Sequence, residues 1–276
     1  MLPREPSRRS VEVQTASISG TVTLPLEARR LFDLEQPRDK DAPIHPSHQP
    51  PGYSYLLHRR HAPGSERRTG ASGVIVASEH SGTHIDALCH QAWDGRLHGG
   101  ANALEAQGTF GFSNLGAEAI GPILARGWLI DLGRVIEPGC IELGRVSRAA
   151  SEQNVHPAPG DVVLIRTGNG ANWLEPERYL RGAGLAAEVS SWLASLRPRA
   201  VGADNVAWDC LEPDAEYGTL PGHTILLVQH GVHILENLYL EELALAGVSS
   251  FTFICLPLKL VGATGSPVRP IAVAGG

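Results

Sequence analysis

The chain has 276 residues, of which 42% are hydrophobic and 19% charged, and its formal net charge is −6. This apolar content is too high for a disordered chain and ample for a core. The acidic balance, with no basic stripe, argues against nucleic acid, and no apolar run approaches the roughly 18 residues needed to cross a bilayer.

The N-terminal "MLPREPSRRSVEVQ" is charged and lacks an apolar centre, so no signal peptide is expected there. Residues 1–20 are expected to form a tail or an arm, and residues 21–276 a single domain. "LPLEARRLFDLEQ" (24–36) has helical spacing and predicts an early helix. "PRDKDAPIHPSHQPPGYSY" is too rich in proline for regular structure and reads as a long surface loop of the kind that often carries function. "SGVIVAS" (72–78) is a β-branched run that predicts a strand feeding into a cluster of histidines.

Further strands are expected at 127–132, 161–168, 199–204, 224–229, 232–235 and 251–261. Between them, residues 185–197 place Leu185, Val189, Trp192, Leu193 and Leu196 at helical spacing and predict an amphipathic helix. A shorter helix is expected over 240–247, ended by Gly247. Strands outnumber helices and no linker divides the chain, so the expectation is one α/β domain. Thirty-one glycines and twenty prolines add a loop-rich character. Cys89, Cys140, Cys210 and Cys255 are widely spaced without a CxxC pair, which predicts reduced thiols and a cytoplasmic location.

The densest chemistry lies in "SEHSGTHIDALCHQAWDG" (78–95). On a helix Asp86 would lie roughly 200° from His84, and Gly82 with β-branched Thr83 disfavours a helix there. An extended chain lets His80, His84, Asp86 and His90 project from one side. Two histidines and a carboxylate suit Zn2+, Mn2+ or Fe2+ and leave positions open for water and substrate. The bland alternative is a hydrogen-bonded histidine cluster at a strand end.

"HSGTHIDALCH" resembles the HxGTHxDxPxH signature of the cyclase family of metal-dependent hydrolases, which includes kynurenine formamidases and isatin hydrolases. Leu88 stands where the family usually has proline. "GADNVAWD" (202–209), "HTILLVQHGVHILENLYLEEL" (223–243) and "LPLKLVGATGSPVRPIAV" (256–273) are each similar to a family block in the same order, so the resemblance covers about residues 70–273. It implies a compact α/β domain around a curled, barrel-like mixed sheet of the swivelling β/β/α type. It also implies a second-half histidine and glutamate, matched here by His223 and Glu236 with spacing one residue longer than the pattern and with His230 and His233 between them. Taken alone, "HTILLVQHGVHILE" reads as an amphipathic strand pair with surface histidines.

The implied cofactor is a divalent metal, Mn2+ or Zn2+, and the implied catalytic residue is His90, left free as the acid/base by the other ligands. The expected reaction is hydrolysis of a carbon–nitrogen amide bond in a small-molecule substrate: a formamide, cyclic amide or imide. A lactone hydrolase, a dehydrating cyclase and a binding protein without catalysis are the alternatives. Family members associate, so a homodimer or homotetramer is expected. Trp93, Trp173 and Trp208 are candidates for an aromatic substrate wall, and Asp204 and Asp209 are acids of undecided role. Cys89 is adjacent to His90 in an extended chain and should point away from it. "RTGNG" after Arg166 lacks a phosphate-loop pattern, so no nucleotide is implied.

Overall fold

The computed structural model describes residues 29–64, 67–211 and 220–275. The strands are β1 (Arg29–Asp33), β2 (Ser54–Arg59), β3 (Ser72–Val76), β4 (His84–Asp86), β5 (Ile123–Asp131), β6 (Val162–Arg166), β7 (Ala200–Ala203), β8 (His233–Glu236), β9 (Ser250–Cys255), β10 (Gly265–Pro267) and β11 (Ile271–Gly275), besides shorter pairings. Nine of them form one curled sheet in the order β1-β11-β9-β5-β6-β7-β8-β4-β10. The centre, β5 to β8, is parallel, and the flanks are antiparallel. β2 and β3 pair only with each other.

Alternation along the strands splits the interior into two layers. Val162 and Leu164 of β6 join Ile85, Leu235 and Phe253 on one face. Val163 and Ile165 point the other way, against helices α1 (Leu143–Glu152) and α2 (Ala187–Ser195) and the helical segment α3, which runs from Pro221–His223 into a π-helical Thr224–Gln229. A last helix, α4, spans Glu241–Leu245. The result is the mixed α/β architecture with a curled sheet that the sequence implied.

Several expectations need correction. The early helix over 24–36 is instead strand β1 from Arg29, with Leu31 outward and Phe32 inward, while residues 24–28 lie outside the described residues. The run 224–229 is helical, not extended. Pro221 at the first helical position starts it, and Leu226 and Leu227 bury against the α2 layer. The strand expected over 251–261 stops at Cys255, because Pro257 cannot donate to a ladder. Beyond it Leu256, Leu258, Leu260 and Val261 lie exposed. Helix α1, absent from the sequence reading, fills a gap between β5 and β6.

The cysteines divide. Cys89 and Cys255 are free and buried, but Cys140 and Cys210 form a disulfide across 70 residues, which corrects the expectation of four reduced thiols. Gly184 and Leu185 bring the two halves together: they pair with Cys140 and Ile141 on one side, while Leu185 bridges Asp209 on the other. Nothing in the spacing of the cysteines betrays this meeting. Among the described residues no helix is long and apolar enough to cross a membrane.

Candidate metal centre

β4 is short but carries the centre of the site. His84 and Asp86 stand two residues apart on one face, and Ile85 between them points into the core, fully buried. The neighbouring strands complete the setting: β8 places Glu236 opposite His84, and β10 places Gly265 opposite Asp86. The single extended run expected over 80–90 is confined to this strand. His80 comes from a turn before it and His90 from a turn after it, where the His90 amide donates to the Ala87 carbonyl at 2.9 Å. Gly82 makes the first turn with φ +63°, a conformation costly for other residues, and the Arg38 guanidinium packs where a Cβ would stand. Gly265 lets the His80 ring approach the backbone, since a Cβ there would lie 2.8 Å from it.

Five side chains converge. His80 Nδ1 lies 3.0 Å from Asp86 Oδ1, and His84 Nε2 lies 3.5 Å from the same oxygen and 3.4 Å from Glu236 Oε2. From the other side His223 Nε2 lies 3.5 Å from Asp86 Oδ2 and 3.4 Å from Glu236 Oε1. All five residues are buried. His80 Nδ1, both Asp86 oxygens and Glu236 Oε1 have no hydrogen-bond partner, a costly arrangement unless something positively charged sits among them.

Each imidazole is aimed from behind. His84 Nδ1 meets the Gly82 carbonyl at 2.8 Å, His223 Nδ1 meets Asp209 at 2.7 Å, and His80 Nε2 meets Thr264 Oγ1 at 2.8 Å, with Glu79 behind the threonine. Holding one ring nitrogen leaves the other facing inward, as metal-binding histidines require. Asp209 also accepts from the Gly222 and His223 amides, so it fixes the start of α3 and the His223 ring together. Asn237 locks the motif turn: its amide donates to the Gly82 carbonyl, its own carbonyl accepts from Thr83 Oγ1, and Tyr179 donates to its side chain.

The electrostatics ask for a cation. Burial opposes charge on Asp86, but the imidazoles of His90, His223 and His80 outweigh it and keep this carboxyl well below the usual range. Burial pushes Glu236 up to about 7 against the pull of His223. For His223 and His80 burial favours the neutral ring, yet Asp209 and Asp86 respectively overcome it and raise both. Both shifts favour positive charge beside this carboxylate pair. His84 goes the other way, driven by burial down to about 3.

His90 lies beside the cluster with its ring centroid 4.1 Å from that of His80 and 5.9 Å from that of His223. Burial and the neighbouring His80 hold it well below its ordinary value, so it is neutral. The structure thus gathers all six sequence-predicted residues of the centre. It also adds His48, which the sequence reading did not single out. His48 comes from the proline-rich loop and stacks on His80 at 4.7 Å. His230 is exposed, while His233 bonds the Asp86 carbonyl from outside the cluster at 2.8 Å.

The remaining candidates have other surroundings. Trp208 is fully buried and donates to Ser190, and Trp173 is buried with its indole donating to the Pro37 carbonyl. Trp93 is exposed and lines a cavity of about 470 Å3 with the disulfide, Leu220, Pro221 and Thr224. Asp204 accepts from Thr167, Gly168 and Gly170 and braces that loop. Cys89 is turned away from the cluster, its thiol donating towards the Ala263 carbonyl and pushed up to about 12 by burial.

Fold and site together define an α/β protein whose curled sheet holds a buried cluster of three histidines and two carboxylates suited to a divalent metal. The chain belongs to the cyclase family: the family model described as a putative cyclase matches residues 32–210. It is 29% identical over 245 residues to a kynurenine formamidase of Polaromonas naphthalenivorans, covering 88% of this chain and 90% of that one. It is 30% identical over 245 residues to a kynurenine formamidase of Bacillus cereus, covering 87% and 95%. Among solved structures, a novel cyclase superposes with a TM-score of 0.78 at 27% identity, covering 88% of each chain. Isatin hydrolase A from Ralstonia solanacearum shares the fold, with a TM-score of 0.68 at 21% identity over 89% of this chain and 92% of that one.

Proposed function

We propose that this chain is a metal-dependent hydrolase that cleaves a carbon–nitrogen amide bond other than a peptide bond. The substrate is a small aromatic molecule of the formamide, cyclic amide or imide class. The observation that carries the reading is the set of unpartnered buried donor atoms on His80, Asp86 and Glu236, converging beside a neutral His90. The kynurenine formamidase relatives support the reaction class.

His80, His84, Asp86, His223 and Glu236 would hold the divalent cation, with Mn2+ and Zn2+ the proposed species. When bound, such an ion lowers the pKa of a coordinated water and polarises a carbonyl oxygen. His90, kept neutral by burial, takes the proton of the attacking water and returns it to the leaving nitrogen, so that amide and water become acid and amine. His48 walls the site on the side of the proline-rich loop. Trp93, the exposed member of the three tryptophans, is the one proposed to meet an aromatic substrate.

Residues 21–276 are proposed to act as one hydrolase domain, with 1–20 an arm, and the working form to be a homodimer or homotetramer. The cytoplasmic location rested on reduced cysteines, and the Cys140–Cys210 bond removes that support. The test is an activity panel of N-formyl anilines, isatins and lactones after chelation and reloading. Turnover of an amide substrate that returns with Mn2+ or Zn2+ is expected. Hydrolysis of lactones alone would replace this reading with its nearest alternative.

A further inference from the structure

The proline-rich loop before β2 carries a side chain whose polar atoms the fold does not use. Pro46 opens a short 3-10 turn over Pro46–His48, in which the Ser47 amide donates to His45 Nδ1 at 3.3 Å and the His48 amide donates to the His45 carbonyl at 2.9 Å. The Gln49 side chain donates to the Ile44 carbonyl at 3.0 Å, and Ile44 itself is buried. Further up the loop, the Trp173 indole holds the Pro37 carbonyl. The His48 ring is therefore mounted on a turn that is tied to the body at several points.

Among the described residues, four histidines make no side-chain hydrogen bond: His156 and His230, both exposed, and His48 and His90. His48 and His90 are half-buried, whereas the five donors beside them are buried, so these two rings form the solvent side of the cluster. Their centroids lie 6.0 Å apart, and His48 stacks on His80 at 4.7 Å with only 23° between the planes. Stacking engages the face of the His48 ring and leaves free its edge, which carries the nitrogens. One ring nitrogen each from His48, His80 and His90 lie within 4.8 Å of one another. A neutral imidazole always keeps one N–H, so His48 holds an unspent donor next to the acid/base.

We infer that His48 is a second catalytic residue, donating a hydrogen bond to the acyl oxygen of the substrate as water adds to that carbonyl. This role rests on the hydrolase reading above and goes beyond the walling part given to His48 there. As the water oxygen bonds to the carbonyl carbon, His90 takes the water proton and the π pair moves onto the acyl oxygen. His48 lends its N–H to that oxygen and keeps its own proton. When the pair returns, the carbon–nitrogen bond breaks and His90 delivers its proton to the nitrogen, leaving acid and amine. A donor already fixed in place needs no reorganisation as the charge forms, so it favours the transition state over the bound amide.

Two substitutions separate donation from packing. His48→Phe keeps a ring to stack on His80 but has no N–H, and His48→Gln keeps a donor but no ring. On an amide that the metal-loaded wild type turns over, His48→Phe should retain its metal and Tm while kcat falls roughly 10²–10³-fold. His48→Gln should recover about tenfold or more of that loss. Calorimetry of the Zn2+-loaded chain reads the same contact without turnover. Phenylphosphonate, whose charged oxygens imitate the tetrahedral state, should bind about tenfold or more weaker to His48→Phe, while binding of neutral benzamide changes little. Wild-type kcat and phosphonate affinity in His48→Phe would leave His48 a packing residue, and loss of metal would make it a ligand. Either result overturns the proposal, as does a loss confined to KM or a wild type that does not bind phenylphosphonate. Phosphonate binding that depends on His48 in a chain that cleaves no amide would instead overturn the hydrolase reading and leave the donor contact standing.

Discussion

Asp209 sits outside the donor cluster, yet three of its contacts decide how His223 enters it. Asp209→Asn keeps the size but weakens the grip on the ring, so metal affinity should drop roughly 10–100-fold, measurable by competition with a chelating dye. His90→Ala should separate catalysis from binding. Metal content should persist while turnover falls roughly 10²–10⁴-fold, the loss residing in kcat. A variant that lost its metal would make His90 a ligand instead. Because Asp209 raises the proton affinity of His223, metal must displace a proton there. Affinity should therefore climb with pH and weaken on acidification, and calorimetry in two buffers of different ionisation enthalpy should register proton release.

β4 has three residues, and its middle one carries the packing that holds the outer two in place. Ile85 is fully buried among Leu235, Phe253 and their neighbours. Ile85→Ala should cost about 2–5 kcal/mol in chemical denaturation, with metal affinity falling because the strand loses its seat. The HxxxHxD stretch was legible because ligand chemistry forces residue type and spacing at once, and the structure gathers those donors. The second half was harder to read: His223 and Glu236 come from a helix start and the end of a strand, joined by a run of apolar residues that suits either state. Pro221 was the available signal for the helix. His48 and Asn237 had none, since one reaches the site through a loop and the other through a positive-φ turn of 57°. The outline of the sheet followed from β-branched runs, while β1 escaped because five residues at an edge fit helical spacing equally well.

At the scale of the molecule two cross-links act together. The disulfide closes a loop of 70 residues, and on chain-entropy grounds its removal should cost about 4 kcal/mol, read as a lower denaturation midpoint for Cys140→Ala/Cys210→Ala. Metal should add its own increment, about 2.7 kcal/mol at a hundredfold excess over Kd, and chelation should lower Tm accordingly. The covalent ring between Cys140 and Cys210 contains α1, β6, α2 and β7 but none of the five donors: His80, His84 and Asp86 precede it, and His223 and Glu236 follow it. One closure is thus nested inside the other, in the manner of a buckle within a belt. A protease nick inside the ring leaves a single covalent piece, with both donor segments still tethered through sulfur. A nick between 90 and 140, or between 210 and 223, severs one donor segment from the other, and only the ion and the folded sheet then hold the halves together. On a non-reducing gel the first kind of cut is invisible, and the second separates the chain into two.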